Sequence, residues 1–264
     1  MRRRLMAGTG WKMNHRIAET RNFAERLLRR LPSGVDSTLD LFVLPPFTAL
    51  AAAAEAFAGS PVRTGGQNMH WAPSGAWTGE ISAAMLTDAG CRYVELAHSE
   101  RLQHFNETYE QVKLKVNAAL ANNLTPILCL GETRDEMSAG QADEVLAGQL
   151  ATALDDVGAA ALARVVLAYE PRWAIGAAEA ASPDYVELRH FHLRAAASAR
   201  WGERAARGVR IIYGGSVSIA NGSQLIRQPN VDGLFAGRAG WTPEGFAAIV
   251  EIVAAAVSAK EQSP

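Results

Sequence analysis

Eight short apolar runs divide this sequence, and each is followed by a segment patterned as a helix before the next run begins. Residues 5–8, 39–43, 62–66, 93–96, 127–130, 165–169, 210–213 and 233–236 read as strands. Helices are expected over 17–31, from about 48, near 82–88, and over 108–122, 135–154, 183–201, 218–225 and 243–258. A strand that returns to its sheet after a helical crossover lies parallel to the one before it, and the crossover helices cover the sheet. Eight such units in 264 residues, with no Pro/Ser-rich linker or charge block between them, predict closure into a barrel of the usual length, about 250 residues. The expected fold is α/β: a single (β/α)8 barrel spanning 1–264. The tail from Lys260 to Pro264 is expected to fray.

The formal net charge of −1 gives no global field for holding nucleic acid or an anionic membrane, so neither partner is expected. A small anion would be caught by local donors. The two cysteines, Cys91 and Cys129, form no metal-type or redox-type pair and fit reduced core thiols. Met1-Arg2-Arg3-Arg4 resembles the start of a signal peptide, but Gly8, Thr9, Gly10 and Lys12 interrupt any apolar segment behind it. The expectation is a soluble, cytoplasmic protein.

Functional groups of such barrels lie where strands end at their C-terminal side. Gly10-Trp11-Lys12-Met13-Asn14 follows the first strand, His98-Ser99-Glu100-Arg101 the fourth and Glu170-Pro171-Arg172-Trp173 the sixth. Gly214-Gly215-Ser216 follows the seventh and Gly237-Arg238 the eighth. A lysine, a histidine and a carboxylate are therefore expected at one rim beside two Gly-rich loops. His98 and the carboxylates show no metal-ligand spacing along the chain, so no metal and no cofactor are expected.

Trp11-Lys12-Met13-Asn14, Ala97-His98-Ser99-Glu100-Arg101, Ala168-Tyr169-Glu170-Pro171, Trp173-Ala174-Ile175-Gly176 and Tyr213-Gly214-Gly215-Ser216-Val217 resemble signature segments of the triosephosphate isomerase family, in order. Segments 65–68 and 75–80 resemble its interface loop. The resemblance implies a TIM barrel that moves a proton between adjacent carbons of a small phosphorylated sugar. Glu170 is then the base. His98 polarises the carbonyl as a neutral imidazole, and triosephosphate isomerase is itself the worked case of that pairing. Lys12 stabilises the enediolate, and Glu100 organises Lys12 or the protonated substrate oxygen. The phosphate would meet backbone N–H groups at Ser216, Gly237 and Gly176, with Arg238 beside them. Arg101 is expected to pair with an acid such as Glu107. Ile175 and Phe235 are expected to cap Glu170, and 171–181 to form a lid. A homodimer is expected through the loop from Gln67 to Glu80, with Thr78 approaching the rim around Lys12.

Several ligand-facing positions depart from the family. Gly10 replaces an asparagine, Ala97 a glycine, Phe235 a leucine, and Ala177-Ala178-Glu179 the usual Thr-Gly-Lys; Arg238 follows Gly237 in place of a second glycine. Gly10 is expected to leave a space. Gly10, the Gly237-Arg238 pair and Asn68-Met69-His70-Trp71 resemble a branch that interconverts four-carbon ketose phosphates such as erythrulose phosphate. The leading expectation is interconversion of glyceraldehyde 3-phosphate and dihydroxyacetone phosphate. The alternatives are a four-carbon ketose-phosphate isomerase and a phosphosugar-binding paralogue without turnover.

Overall fold

The computed structural model describes residues 3–176 and 180–261. Eight parallel strands close on themselves in chain order: β1 (Leu5–Gly10), β2 (Leu39–Leu44), β3 (Val62–Gly66), β4 (Tyr93–Leu96), β5 (Thr125–Leu130), β6 (Val166–Tyr169), β7 (Arg210–Tyr213) and β8 (Gly233–Ala236). β1 pairs with β2 from Leu5 opposite Leu39 to Gly10 opposite Leu44, and closes the ring against β8, with Gly8 opposite Phe235. The fold is the (β/α)8 TIM barrel.

Alternation along each strand separates two apolar layers. Met6, Phe42, Tyr93, Ile127, Val166 and Ile212 are among those that fill the barrel interior. Their neighbours Ala7, Leu41, Val94, Leu128, Leu167 and Ile211 face the helices and join the outer core. Side-chain caps start several helices where the sequence places Ser or Thr: Ser82 before Ala83–Asp88, Thr108 before Tyr109–Ala121 and Ser182 before Pro183–Trp201. Each cap oxygen accepts a backbone N–H that would otherwise lack a partner.

The expected helix over 135–154 is two, Arg134–Ser138 and Ala142–Ala153. Gly140 lies between them at φ 73°, a left-handed conformation that ends a helix. The short helices Val35–Thr38, Ala159–Leu162 and Glu203–Gly208 have too few residues to show a period in the sequence. The last helix, Pro243–Glu261, passes the expected end at 258. Lys260, expected to fray, donates from Nζ to Gln228 O at 2.8 Å and to Val231 O, which holds the terminus down. No helix among the described residues is long and apolar enough to cross a membrane.

Candidate active site

Lys12 leaves β1 at φ 53°, a left-handed conformation that a lysine rarely adopts. Trp11, fully buried, anchors the turn from one side. Gln67 secures it from another: its Nε2 donates to Lys12 O at 3.0 Å and to Leu44 O at 2.9 Å. The lysine ammonium is thereby aimed across the rim, where Nζ lies 2.5 Å from Glu100 Oε1. Partial burial opposes charge on Glu100, but the Lys12 hydrogen bond and the nearby His98 outweigh it and hold this carboxyl below its ordinary value. Glu100 is the ionised partner of Lys12.

Ala97 also takes a positive φ, 62°. A methyl-bearing residue pays about 1–2 kcal/mol there, so this replacement of a glycine is not the mild change that its chemistry implies. The positive φ breaks the strand alternation and turns His98 into the barrel mouth. His98 caps the helix Ser99–His104, and its Nδ1 accepts the N–H of Glu100 at 3.1 Å. A ring nitrogen that accepts carries a lone pair, so the neutral ring bears its proton on Nε2. Burial opposes the imidazolium; Glu170 and Glu95 outweigh burial and raise its pKa above the usual value. Protonation at Nδ1 would break the bond to Glu100 N–H.

Strand alternation sends Ala168 inward, Tyr169 outward and Glu170 inward. Glu170 is 3% exposed, and its N–H is fixed by Leu130 O at 2.8 Å. Its Oε2 has no hydrogen-bond partner among the described residues and lies 3.8 Å from His98 Nε2. Gly214 makes room for it, because a Cβ there would stand 2.9 Å from Glu170 Oε1 and Cγ. Burial raises the Glu170 pKa, with His98 and Lys12 opposing. A base of raised pKa is suited to proton abstraction near neutrality.

A cavity of about 550 Å³ holds these groups together. Gly10, Lys12, His98, Glu100 and Glu170 line it, as do Gly176, Ser216, Gly237 and Arg238. The structure therefore brings every expected site residue to one cleft. The N–H groups of Gly215, Ser216 and Gly237 have no backbone acceptor among the described residues, and Arg238 is exposed without a carboxylate partner among them. Together they form a cluster of donors suited to a phosphate. Ser216 spends its hydroxyl on Ala174 O at 2.5 Å.

The space expected at Gly10 is narrower than an absent side chain suggests. Phe235 leans into it: a Cβ on Gly10 would meet Phe235 Cζ at 3.3 Å. The ring packs on Phe42, with centroids 5.2 Å apart, and belongs to the barrel interior while lining the cavity. Arg101 does pair with Glu107, at 3.3 Å. Cys129 is buried, and burial together with the Glu170 and Glu95 charges pushes its thiol well above the ordinary range, which leaves it as packing. The lid substitutions at Ala177, Ala178 and Glu179 lie outside the described residues.

Two carboxylates escaped the sequence reading. Glu132, fully buried, accepts from Tyr169 OH at 3.0 Å, Trp173 Nε1 at 2.8 Å and Tyr185 OH at 2.8 Å, and so ties the segment after Glu170 to the barrel. Its signal was a position after β5 at the same rim. Glu95, 6% exposed, lies on β4 and lines the cavity. Burial raises its carboxyl to about 7, against the opposing pull of His98. Its signal was period two: it shares a face with the inward Tyr93. Glu95, His98 and Glu170 offer ligand atoms within 4.8 Å of one another, a set able to hold a divalent cation. Spacing along the chain did not show this convergence, because β4 and the end of β6 meet only in the closed barrel.

The sequence profile of the family described as Triosephosphate isomerase matches residues 5–253. An L-erythrulose-1-phosphate isomerase of Mesorhizobium japonicum is 44% identical over 252 residues, covering 95% of this chain and 97% of that protein. One of Brucella abortus is 45% identical over 254 residues, with 96% and 97% covered. A triosephosphate isomerase of Symbiobacterium thermophilum is 45% identical over 251 residues, with 95% and 97% covered. With a barrel closed in chain order and these matches over almost its whole length, the chain belongs to the triosephosphate isomerase family.

Proposed function

We propose that this protein isomerises a four-carbon ketose phosphate, interconverting erythrulose 1-phosphate and erythrulose 4-phosphate through an enediolate. The observation that carries the chemistry is the placing of His98 Nε2 3.8 Å from Glu170 Oε2 inside one cleft with Lys12 and a cluster of phosphate donors. In this reading the phosphate sits against the N–H groups of Gly215, Ser216 and Gly237, with Arg238 alongside. Glu170 takes the proton from C3, and the C–H electrons form the C2–C3 double bond as the C2 carbonyl becomes an enediolate oxygen. His98 gives its Nε2 proton to the oxygen on C2 and recovers one from the oxygen on C3. Glu170 then returns its proton to C2, which moves the carbonyl to C3. Lys12, held by Glu100, stabilises the negative charge between these steps.

The four-carbon substrate is supported by the relatives named for erythrulose 1-phosphate and by Gly10, which withholds the asparagine donor expected of a triose site. The second reading keeps the same steps on triose phosphates and is favoured by the similarity to the Symbiobacterium protein. The meeting of Lys12, His98 and Glu170 in one cleft supports turnover over binding alone. The test is a paired measurement of kcat/KM on erythrulose 1-phosphate and dihydroxyacetone phosphate, with and without a chelator. Preference for the tetrose, insensitive to chelation, is expected. Preference for the triose would return the chain to the second reading. Loss of activity on chelation would make Glu95, His98 and Glu170 a metal centre instead.

We also infer a homodimer built on the loop from Gln67 to Glu80. His70 and Ile81 close its base through a 2.8 Å hydrogen bond, and His70 stacks on Trp71 with centroids 4.0 Å apart. Residues 73–80 beyond that base are exposed.

A further inference from the structure

The proton-transfer steps make no use of Glu95, yet the fold tolerates a carboxylate there at a cost. Around it the barrel interior is filled by apolar side chains such as Met6, Phe42, Ile127 and Ile212. A buried carboxylate without good partners is costly by several kcal/mol. Among the described residues the hydrogen-bond partner of Glu95 is the Cys129 thiol, with Sγ 3.9 Å from Oε1. A thiol is a weak donor and offsets little. The rest of the carboxyl faces the cavity that also holds Lys12, His98 and Glu170.

Position in the ring says which part of a substrate it meets. The phosphate donors follow β7 and β8, and β4 lies across the closed barrel from β8. A substrate laid from those donors over the His98–Glu170 pair ends, at its unphosphorylated carbon, on the β4 side. That end is a hydroxymethyl group in a ketotetrose phosphate; a triose phosphate has no such group beyond its reacting carbons. We propose that Glu95 is a specificity-determining residue that hydrogen-bonds the terminal hydroxyl of the four-carbon substrate. A hydroxyl can donate to a carboxylate or accept from a carboxylic acid, so it satisfies Glu95 in either protonation state. A triose would leave the carboxyl unpaired, and sites built to bond a hydroxyl reject analogues that lack it.

This assignment rests on the four-carbon reading. The experiment measures kcat/KM on erythrulose 1-phosphate and dihydroxyacetone phosphate for the wild type, Glu95→Val and Glu95→Gln. The tetrose-to-triose ratio should fall roughly tenfold to a hundredfold in Glu95→Val. Glu95→Gln should retain part of it, because an amide also bonds a hydroxyl in both senses. A wild type that prefers the triose overturns the four-carbon reading and this role with it. A wild type that prefers the tetrose, with an unchanged ratio in Glu95→Val, overturns the role of Glu95 alone; equal losses on both substrates do the same. Should Glu95→Val not fold, Glu95→Asp draws the carboxyl back by one methylene and must lower the ratio for the assignment to stand.

Discussion

Glu95 binds its proton more tightly in the fold than in the unfolded chain, because burial moves its carboxyl from 4.5 to about 7. The stability this supplies is fully present below the unfolded value and is lost as the pH rises through 7. Glu170 is shifted in the same direction by the same cause. Glu95→Gln keeps the shape without the titration. Denaturant unfolding of both proteins at about pH 5 and about pH 8 should show the variant gaining on the wild type as the pH rises, by up to about 3 kcal/mol. A gap that stays constant between the two pH values would mean that Glu95 does not titrate in that window. The residues that bear chemistry here are also the ones held against preference: Lys12 and Ala97 at positive φ, and Glu95 and Glu170 in apolar surroundings. Such strain is tolerated where neighbours over-determine it, as Gln67 does for Lys12.

At the scale of elements, β1 and β8 together shape the cavity beside Gly10. Gly10 ends β1, Phe235 sits on β8, and the ring occupies room that an asparagine side chain at Gly10 would need. Gly10→Asn alone should therefore crowd the rim and lower activity on both substrates. Gly10→Asn with Phe235→Leu should admit the amide and recover a donor worth about 0.5–1.5 kcal/mol, or roughly two- to tenfold in triose kcat/KM over the wild type. Steady-state kinetics of the three proteins checks this; a single variant as active as the double would show that Phe235 does not guard the position. The same pair shows what could be read in the sequence. All eight strands were legible, because each is an apolar run closed by its own helix. The rim residues were legible because they follow strand ends. Glu95 was not: within Tyr93-Val94-Glu95-Leu96, both faces of the strand are buried, one against helices and one inside the barrel. Only closure of the ring decides that Glu95 faces the substrate cavity. Nor does the sequence show that Phe235 packs on Phe42 and crowds Gly10, since those contacts join β2, β8 and β1 across the interior.

At the scale of the whole molecule, the apolar surface beside the site is what an active monomer should not expose. Met13, next to Lys12, is 96% exposed, and Trp77, near the tip of the 67–80 loop, is 49% exposed. In the homodimer inferred above, a second copy would cover both: the loop of each subunit would reach the Lys12 rim of the other, a self-complementary contact. The base of the loop is rigid enough to present it. Asn68 accepts from Lys115 Nζ at 2.8 Å, and Lys115 pairs with Glu107, which pairs in turn with Arg101 of the helix Ser99–His104 that His98 caps. Docking of the loop would therefore bear on the positions of both Lys12 and His98. Sedimentation at micromolar concentration should give the mass of a dimer. Thr78→Arg, which would set a cation against Lys12 in the inferred dimer, should give a monomer with unchanged helical content. Its kcat should fall by about a hundredfold, the loss that a displacement of order 1 Å in a catalytic group brings. A wild type that sediments as a monomer, or a monomeric Thr78→Arg with full kcat, would show that each barrel completes its site alone.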